Sequence, residues 1–169
     1  MRGDTSFRKP NSAERLFNKI FGRLVGLGIA PPDYYLLEVV GRKSGRSYST
    51  PVNVVEVKGK RFLVAPRGYT QWVRNAQVAG RVTLRKGSRR EEFRLRPVPT
   101  EEKPEVLKVY LDRFRIAVQR YFPVSAGSSP TAFQPFVVRY PVFELLPSNP
   151  APDQAGSRID QLSTGGRKA

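Results

Sequence analysis

The chain is 169 residues long, carries a formal net charge of +16, and contains neither cysteine nor histidine. Its length suits one domain with a sizeable core, and no apolar run approaches the roughly 18 residues needed to span a bilayer. The two missing residue types exclude disulfides, Ser-His-Asp and Cys-His catalytic machinery and the usual zinc sites, so we expect no metal centre.

The N-terminal region predicts one helix. Residues 1–10 lack the apolar segment of a signal peptide, which favours a flexible start and a cytoplasmic protein. After Pro10, Asn11 or Ser12 can cap a helix whose apolar residues recur at helical spacing, namely Leu16, Phe17, Ile20, Phe21, Leu24 and Val25. We expect this stripe to pack on the core, with weak peripheral attachment to the inner face of the membrane as a secondary property.

The middle of the chain predicts five strands around a short helix. Residues 34–40 are rich in β-branched and aromatic side chains and predict the first strand. Residues 50–57 and 61–65 predict a hairpin around Lys58-Gly59-Lys60, and residues 81–86 and 90–98 predict a second hairpin around Gly87-Ser88. Between the hairpins, residues 71–79 predict a helix with Trp72 on its apolar side.

The C-terminal third predicts a long helix and a last strand. Thr100 can cap a helix that carries Glu101 and Glu102 in its first turn and runs to about residue 121. An irregular loop is expected over residues 123–135, and a strand over 136–146 that Pro141 interrupts. The residues from Pro147 onward have the composition of a disordered tail.

These elements predict an α+β fold, a small and mostly antiparallel barrel with helices packed outside it. The expected domain organisation is a flexible N-terminus (1–10), one barrel domain (11–146) and a disordered tail (147–169).

Residues 40–51, with the sequence VGRKSGRSYSTP, connect the first two strands and are strongly basic. We expect Gly41 and Gly45 to turn the backbone sharply at positive φ, while cations and hydroxyls surround it, a mixture that suits phosphate or carboxylate oxygens. Residues 41–90 hold thirteen Lys and Arg residues against one acid, Glu56, a local net charge of +12. A solvated hairpin end remains an alternative, and nucleic acid, an acidic membrane and an anionic cofactor are all candidate partners.

Four segments together resemble a known family, the deazaflavin-dependent nitroreductases of actinobacteria, a branch of the split β-barrel, FMN-binding-like oxidoreductases. They are Gly41-Arg42-Lys43-Ser44-Gly45-Arg46 with Thr50-Pro51, Phe62-Leu63-Val64-Ala65, Trp72-Val73-Arg74-Asn75 and Tyr140-Pro141-Val142-Phe143-Glu144-Leu145. The chain departs from the family pattern at Pro66-Arg67-Gly68-Tyr69, where better-known members have a small, Gly-rich stretch.

The resemblance implies that the cofactor is coenzyme F420, a 5-deazaflavin with a phosphate and an oligoglutamate tail. It implies that Arg42, Lys43, Ser44 and Arg46 hold the phosphate and tail and that Thr50 and Pro51 shape the adjoining wall. By the same carry-over, the residues that border the deazaflavin ring are Ala65, Arg67, Gly68, Trp72 and Asn75.

The implied reaction is hydride transfer from the reduced cofactor to a quinone, a nitro compound or an activated alkene. The proton can come from water or from a tyrosine, the candidates being Tyr69, Tyr110 and Tyr121. One alternative is the same barrel with FMN, which lacks a glutamate tail. Another is a non-catalytic basic module that binds anionic lipid or nucleic acid, although the sequence contains no recognition motif for nucleic acid, so a small-molecule acceptor is the favoured partner.

Overall fold

A barrel of six antiparallel strands forms the centre of the computed structural model, which describes residue 24 and residues 31–148. The strands are β1 (Tyr34–Val40), β2 (Ser47–Val57), β3 (Lys60–Val64), β4 (Arg81–Lys86), β5 (Arg89–Pro97) and β6 (Val142–Pro147). They close in the order β1-β2-β3-β6-β5-β4. Helices α1 (Gln71–Ala79) and α2 (Lys103–Val118) and the 3-10 segments Gln119–Tyr121 and Pro130–Arg139 lie around them. The expected α+β, mostly antiparallel split barrel is confirmed.

Two expected regions fall almost wholly outside the described residues. Of the N-terminal apolar stripe, only Leu24 is described, and it is helical with 39% of its surface exposed. The part of the expected tail beyond residue 148 lies outside the described residues. Its first residue, Pro147, instead ends β6, so this strand runs one residue past the expected domain boundary.

The two expected hairpins form with tight turns. Lys58 and Gly59 both adopt positive φ, at 51° and 74°, which is the two-residue turn that matches the twist of paired strands. In the second hairpin Lys86 lies opposite Arg89, so β5 begins and ends one residue earlier than expected.

Strand alternation divides the apolar side chains between the inside and the outside of the barrel. The interior cluster includes Leu37, Leu63 and Phe93, and α1 packs Val73 and Ala76 against it. A second cluster lies between the outer face of the barrel, α2 and the 3-10 segment that precedes β6. The barrel is therefore held by one core inside it and another beside it.

The start of α2 differs from the expectation. The helix begins at Lys103, with Glu102 at the N-cap position and no side-chain cap, so the expected Thr100 cap is wrong. Pro104 lies in the first turn, where its missing N–H costs no intrahelical bond. Glu102 instead accepts a hydrogen bond from Arg96 Nη2 at 3.0 Å, and Arg96 also bonds the buried Glu144 of β6.

The segment before β6 also differs. Residues 130–139 form a 3-10 run that buries Phe133 and Val137, where the sequence suggested a loop followed by a strand from residue 136. The reason is that Pro135 and Pro141 each lack the N–H that a strand ladder needs. The pairing of β6 with β3 therefore begins only at Val142. At its other end, α2 stops at Val118, and a 3-10 turn completes the expected course to Tyr121.

Candidate functional site

A cavity of about 1090 Å³ opens where the barrel is split between β2 and β3. Within the described part of the chain, residues 54–57 of β2 pair with β3, whereas residues 47–53 pair with β1 alone. The walls of this cleft come from the loop 41–46, the first half of β2, residues 64–70, the first turns of α1 and the C-terminal end of α2. One cavity thus joins the basic loop to the interior of the protein.

The two glycines of the basic loop, Gly41 and Gly45, are needed for different structural reasons. Gly45 adopts φ +67°, and its N–H donates to the Gly41 carbonyl at 2.9 Å, closing the turn. Gly41 is outside the left-handed region, so the positive φ expected for it is wrong. A Cβ on Gly41 would instead lie 2.4 Å from Cε2 of Tyr48 and 2.8 Å from Oγ of Ser44. Glycine is needed there because the Tyr48 ring lies against the backbone.

Tyr48 connects this ring contact to the loop by hydrogen bonds. Its hydroxyl lies 3.1 Å from Ser44 Oγ, which also accepts the Arg46 N–H at 3.3 Å. Half of the Tyr48 surface is exposed, and the residue lines the cavity. The sequence analysis missed it, although its place two residues before Thr50 puts it on the same strand face.

Arg42 fastens the loop to α1. Its backbone N–H and its Nη1 both donate to Oδ1 of the buried Asn75, at 3.3 and 2.8 Å, and Nη1 also donates to Gln71 Oε1 at 3.0 Å. The guanidinium atoms Nε and Nη2 make no hydrogen bond with any other described residue. Arg42 can therefore position the loop and still offer donors to an anion.

The edge of β2 that faces the cleft carries backbone groups that no described strand pairs. The Val54 N–H donates to the Asp33 carbonyl on the β1 side, and backbone groups alternate in direction along a strand. The groups of residues 49, 51 and 53 therefore point into the split. Pro51 occupies the middle of this edge, where its missing N–H leaves no donor unpaired. Asn53 adds a buried Nδ2 that has no hydrogen-bond partner among the described residues.

The opposite wall carries another unsatisfied group. Thr70 takes the N-cap position of α1 with extended backbone angles, yet its side chain makes no capping bond. Its Oγ1 is buried without a hydrogen-bond partner in the described chain. Trp72 follows in the first turn and contacts Phe143 of the barrel interior at a centroid distance of 6.3 Å. The wall thus combines an aromatic side chain with a polar atom that a ligand could satisfy.

Tyrosines form the end of the cavity beside α2. Tyr34, Tyr110 and Tyr121 all line it, together with Arg120, whose guanidinium lies 4.9 Å from the centroid of the Tyr121 ring. Burial raises the pKa of Tyr110 far above its ordinary value, and the nearby Tyr34 and Tyr121 raise it further. Tyr110 therefore keeps its proton, and its hydroxyl is available to donate a hydrogen bond.

Most of the expected cofactor-binding residues come together in this cavity. The ones that line it are Arg42, Lys43, Ser44, Thr50, Pro51, Ala65, Arg67, Trp72 and Asn75. Arg46 is exposed and does not line the cavity, and neither does Gly68, whose N–H donates to the Ala65 carbonyl at 3.0 Å. Of the candidate proton donors, Tyr110 and Tyr121 line the cavity, whereas Tyr69 packs against the barrel interior.

The described residues include no helix that is both long and apolar enough to cross a membrane.

Comparison with known proteins identifies a family that matches this chain. Residues 12–121 match the model of the F420H(2)-dependent quinone reductase family. No curated protein matches the chain in sequence. Among solved structures, Atu2129 from Agrobacterium tumefaciens str. C58, of unknown function, shares 17% identity over 84% of this chain and 58% of its own, with a TM-score of 0.51. This chain therefore spans less than two thirds of that neighbour, and the likeness shows a shared fold alone. An F420-H2 dependent reductase, FDR-A, is similar at 20% identity over 68% of this chain and 94% of its own, with a TM-score of 0.46.

Proposed function

The chain belongs to the F420H(2)-dependent quinone reductase family, and from that premise we propose that it oxidises reduced F420 and transfers the hydride to a small electron-poor acceptor. The acceptor classes that we propose are quinones, nitro compounds and activated alkenes. The membership makes the protein an F420-dependent oxidoreductase; the acceptor and the residues that hold the cofactor are the proposal.

The basic end of the cavity suits the anionic part of the cofactor. Lys43 is exposed and lines the cavity, and Arg42 holds its guanidinium there by two hydrogen bonds to α1. Such cations form short, charge-assisted hydrogen bonds with phosphate and carboxylate oxygens. Arg42, Lys43 and Ser44 would therefore hold the phosphate and the first glutamates. Arg46, which lies outside the cavity, would act on the tail only through its charge.

The deeper part of the cavity suits a flat, polar-edged ring. Pro51, Ala65 and Trp72 offer apolar surface, and the open edge of β2 offers backbone groups without partners. The buried atoms Asn53 Nδ2 and Thr70 Oγ1 also lack partners among the described residues, and an unpaired buried polar group costs roughly 1–3 kcal/mol. A heteroaromatic ring with carbonyl and N–H groups at its edge could satisfy such atoms, so the residues present fit the cofactor.

The reduced deazaflavin, when bound, supplies a hydride, and the protein supplies orientation and a dry site. The apolar side chains of the walls would exclude water from the face of the ring that they contact. Tyr110 keeps its proton on Oη and would donate a hydrogen bond to an acceptor oxygen on which negative charge develops. Tyr121, which is half-buried, can exchange its hydroxyl proton with solvent and would pass it to the reduced product.

The observation that carries the proposal is the continuity of the site. One cavity runs from the cationic loop, past an aromatic wall, to a group of hydroxyls. A cofactor with a charged tail at one end and a reactive ring at the other would lie along this course, leaving the hydroxyl end for the acceptor. A protein that bound nucleic acid or lipid through charge alone would not need an enclosed aromatic wall.

The test is to titrate the purified protein with F420 and, separately, with FMN, and then to follow the oxidation of reduced F420 by menadione. We expect F420 to bind more tightly than FMN, because Arg42 and Lys43 can pair with glutamates that FMN lacks. Tighter binding of FMN, or oxidation of F420 at the uncatalysed rate with quinone, nitro and alkene acceptors alike, would contradict the proposal. Lys43→Gln should weaken F420 binding, and Lys58→Gln, an exposed cation paired with Glu105 away from the cavity, is the matched control.

A further inference from the structure

A second cavity of about 340 Å³ lies at the end of the barrel away from the basic loop. The antiparallel course brings the starts of β1, β3 and β5 and the end of β4 to this end. Six of the described residues line the cavity, and none of them lines the cofactor cleft: Tyr35, Arg61, Leu84, Lys86, Arg89 and Glu91. Three cations against one carboxylate leave a net charge of +2 around a small concave space.

Arg61 lines this cavity and contacts two aromatic rings. Its guanidinium carbon lies 5.4 Å from the centroid of Tyr35 and 5.1 Å from that of Phe93. The nearest carboxylate oxygen, on Glu91, is 3.8 Å away, which is beyond hydrogen-bonding distance. Within residues 31–148 the guanidinium N–H groups make no hydrogen bond, although 30% of the side chain is exposed. Arg61 is therefore in a long ion pair with Glu91, while its oriented N–H donors form no hydrogen bond with the described residues.

The hairpin of β4 and β5 carries two pairs of facing cations, and the two pairs differ in their carboxylate contacts. Two pairs of cations lie directly opposite each other across the hairpin, Arg85 with Arg90 and Lys86 with Arg89. Like charges in this position are destabilising. Glu38 of β1 contacts both members of the first pair and neutralises the repulsion.

Among the described residues no carboxylate forms an ion pair with the second pair, since Glu91, which lines the same cavity, is paired with Arg61 alone. Lys86 Nζ donates hydrogen bonds to the carbonyl oxygens of Pro31 and Pro32, at 2.7 and 2.8 Å. These neutral acceptors satisfy its donors but do not neutralise its positive charge. Arg89 is exposed and has no acidic partner among the described residues. The pair of Lys86 and Arg89 thus lacks the bridging carboxylate that Glu38 gives to the pair of Arg85 and Arg90, and it borders a space that could hold an anion.

We propose that this cavity binds a phosphate monoester, with Arg61 and Arg89 as its main ligands. A guanidinium donates two parallel hydrogen bonds to a phosphate, and its charge does not depend on pH in the physiological range. The phosphate belongs either to a soluble phosphorylated compound or to the headgroup of an anionic lipid. Its place at the far end of the barrel leaves the cofactor cleft free, so both sites can be filled together.

The experiment is a titration of the full chain with inorganic phosphate, followed by amide chemical shifts at constant ionic strength. Gly87 and Ser88, in the turn between Lys86 and Arg89, report on this cavity, and Gly45 reports on the cofactor cleft. We expect saturable shifts at Gly87 and Ser88. Arg61→Gln and Arg89→Gln should each weaken this binding by about tenfold or more. Arg94→Gln, an exposed cation on the same hairpin that lines neither cavity, should bind phosphate like the wild type.

Shifts at Gly87 and Ser88 that chloride reproduces, or that persist in Arg89→Gln, would overturn the proposal. Arg89 is exposed, so this second variant tests the site even if loss of Arg61 disturbs the packing of Phe93. Shifts at Gly45 alone would also overturn this proposal, because they would show that phosphate binds only in the cofactor cleft. The proposed function of that cleft would be unaffected.

The source of the phosphate is tested with phosphatidylcholine vesicles that do or do not contain phosphatidic acid. Co-sedimentation that requires phosphatidic acid and is lost in Arg61→Gln and Arg89→Gln identifies a lipid headgroup. Phosphate binding without such co-sedimentation identifies a soluble ligand. If neither form of phosphate binds in a way that depends on Arg61 or Arg89, the proposal is wrong.

Discussion

Substitution of Gly41 by alanine is the sharpest test of how the basic loop is held. The new methyl group would lie 2.4 Å from Cε2 of Tyr48, closer than real Cβ contacts. The Tyr48 ring must therefore move, and its hydrogen-bonding contact with Ser44 at 3.1 Å is broken. Overpacking typically costs about 1–3 kcal/mol, but here the ring is half exposed and can swing into solvent. The cost should therefore appear in the site more than in the stability of the fold.

The expected result is a loss of F420 affinity of about tenfold, or roughly 1.4 kcal/mol, with a small change in melting temperature. Fluorescence titration of F420 and thermal denaturation measure the two quantities. Gly59→Ala is the matched control, since Gly59 has φ +74° with nothing within 4 Å of its Cβ position. That substitution should lower the melting temperature by backbone strain and leave F420 affinity unchanged.

A double-mutant cycle isolates the contact. In a Tyr48→Ala background the methyl group no longer meets the ring and contacts only Ser44 Oγ, 2.8 Å away on a side chain that can rotate. Gly41→Ala should therefore cost less affinity there than in the wild type, and the coupling between the two changes should be about 1 kcal/mol or more. Wild-type F420 affinity in Gly41→Ala, or an affinity loss that is the same with and without the Tyr48 side chain, would contradict a role for this ring contact.

Four other results are expected. Arg42→Ala and Lys43→Ala should each weaken F420 binding by about 1–3 kcal/mol with native circular dichroism, whereas Arg46→Ala, whose side chain lies outside the cavity, should cost under about 1 kcal/mol in the same titration. F420 affinity should fall steeply with salt and rise with the number of glutamates, because exposed charges are screened within about 8–10 Å; equal affinity for tailed and tail-less cofactor would contradict this. The hydrogen bond from Lys108, and then that from the Gly127 N–H, lowers the pKa of Asp112 below its ordinary value of 3.8. The ionised Asp112 therefore stabilises the fold fully above the ordinary pKa, and this stabilisation is lost as the pH falls through the lowered pKa. Denaturant titrations should give different free energies of unfolding for Asp112→Asn and the wild type at pH 6, and the two values should converge in strong acid. Residues 1–30 can be removed without losing the Pro31 carbonyl, which accepts hydrogen bonds from Tyr34 and Lys86. If the expected apolar stripe packs on the barrel, this truncation should lower the melting temperature and slow quinone reduction. If the stripe meets lipid instead, melting and turnover should be unchanged and sedimentation with anionic vesicles should be lost.

The fold was predictable where local pattern and tertiary structure agree. The bounds of β1, α1 and β4 match the expectation because alternating or helical apolar spacing ends at clear turn residues, as at Gly80 and Gly87. The segment before β6 was misjudged because its apolar residues resemble a strand. Phe133 and Val137 are in fact buried against α2, and that contact is not visible in local sequence.

The site was predictable only in part, for a similar reason. Arg42, Lys43, Trp72 and Asn75 stand in short motifs, and the structure brings them to one cavity. Tyr34 and Asn53 are opposite each other in the β1–β2 ladder and belong to none of the four motifs, although Asn53 lies only two residues after Pro51. They reach the cavity because β3 stops pairing with β2 at Val54, and the place where a barrel splits depends on the whole sheet.

Pro51 has a consequence beyond the cofactor. Within the described residues, the split leaves residues 47–53 of β2 with one backbone edge unpaired, and such an edge is a template on which another chain can add a strand. A continuous row of donors and acceptors would make aggregation of the empty protein a standing risk. Pro51 interrupts that row at its centre, because it offers no N–H and its ring obstructs an approaching strand. The residue that keeps the cleft open for a small molecule also makes it a poor seed for intermolecular β-sheet.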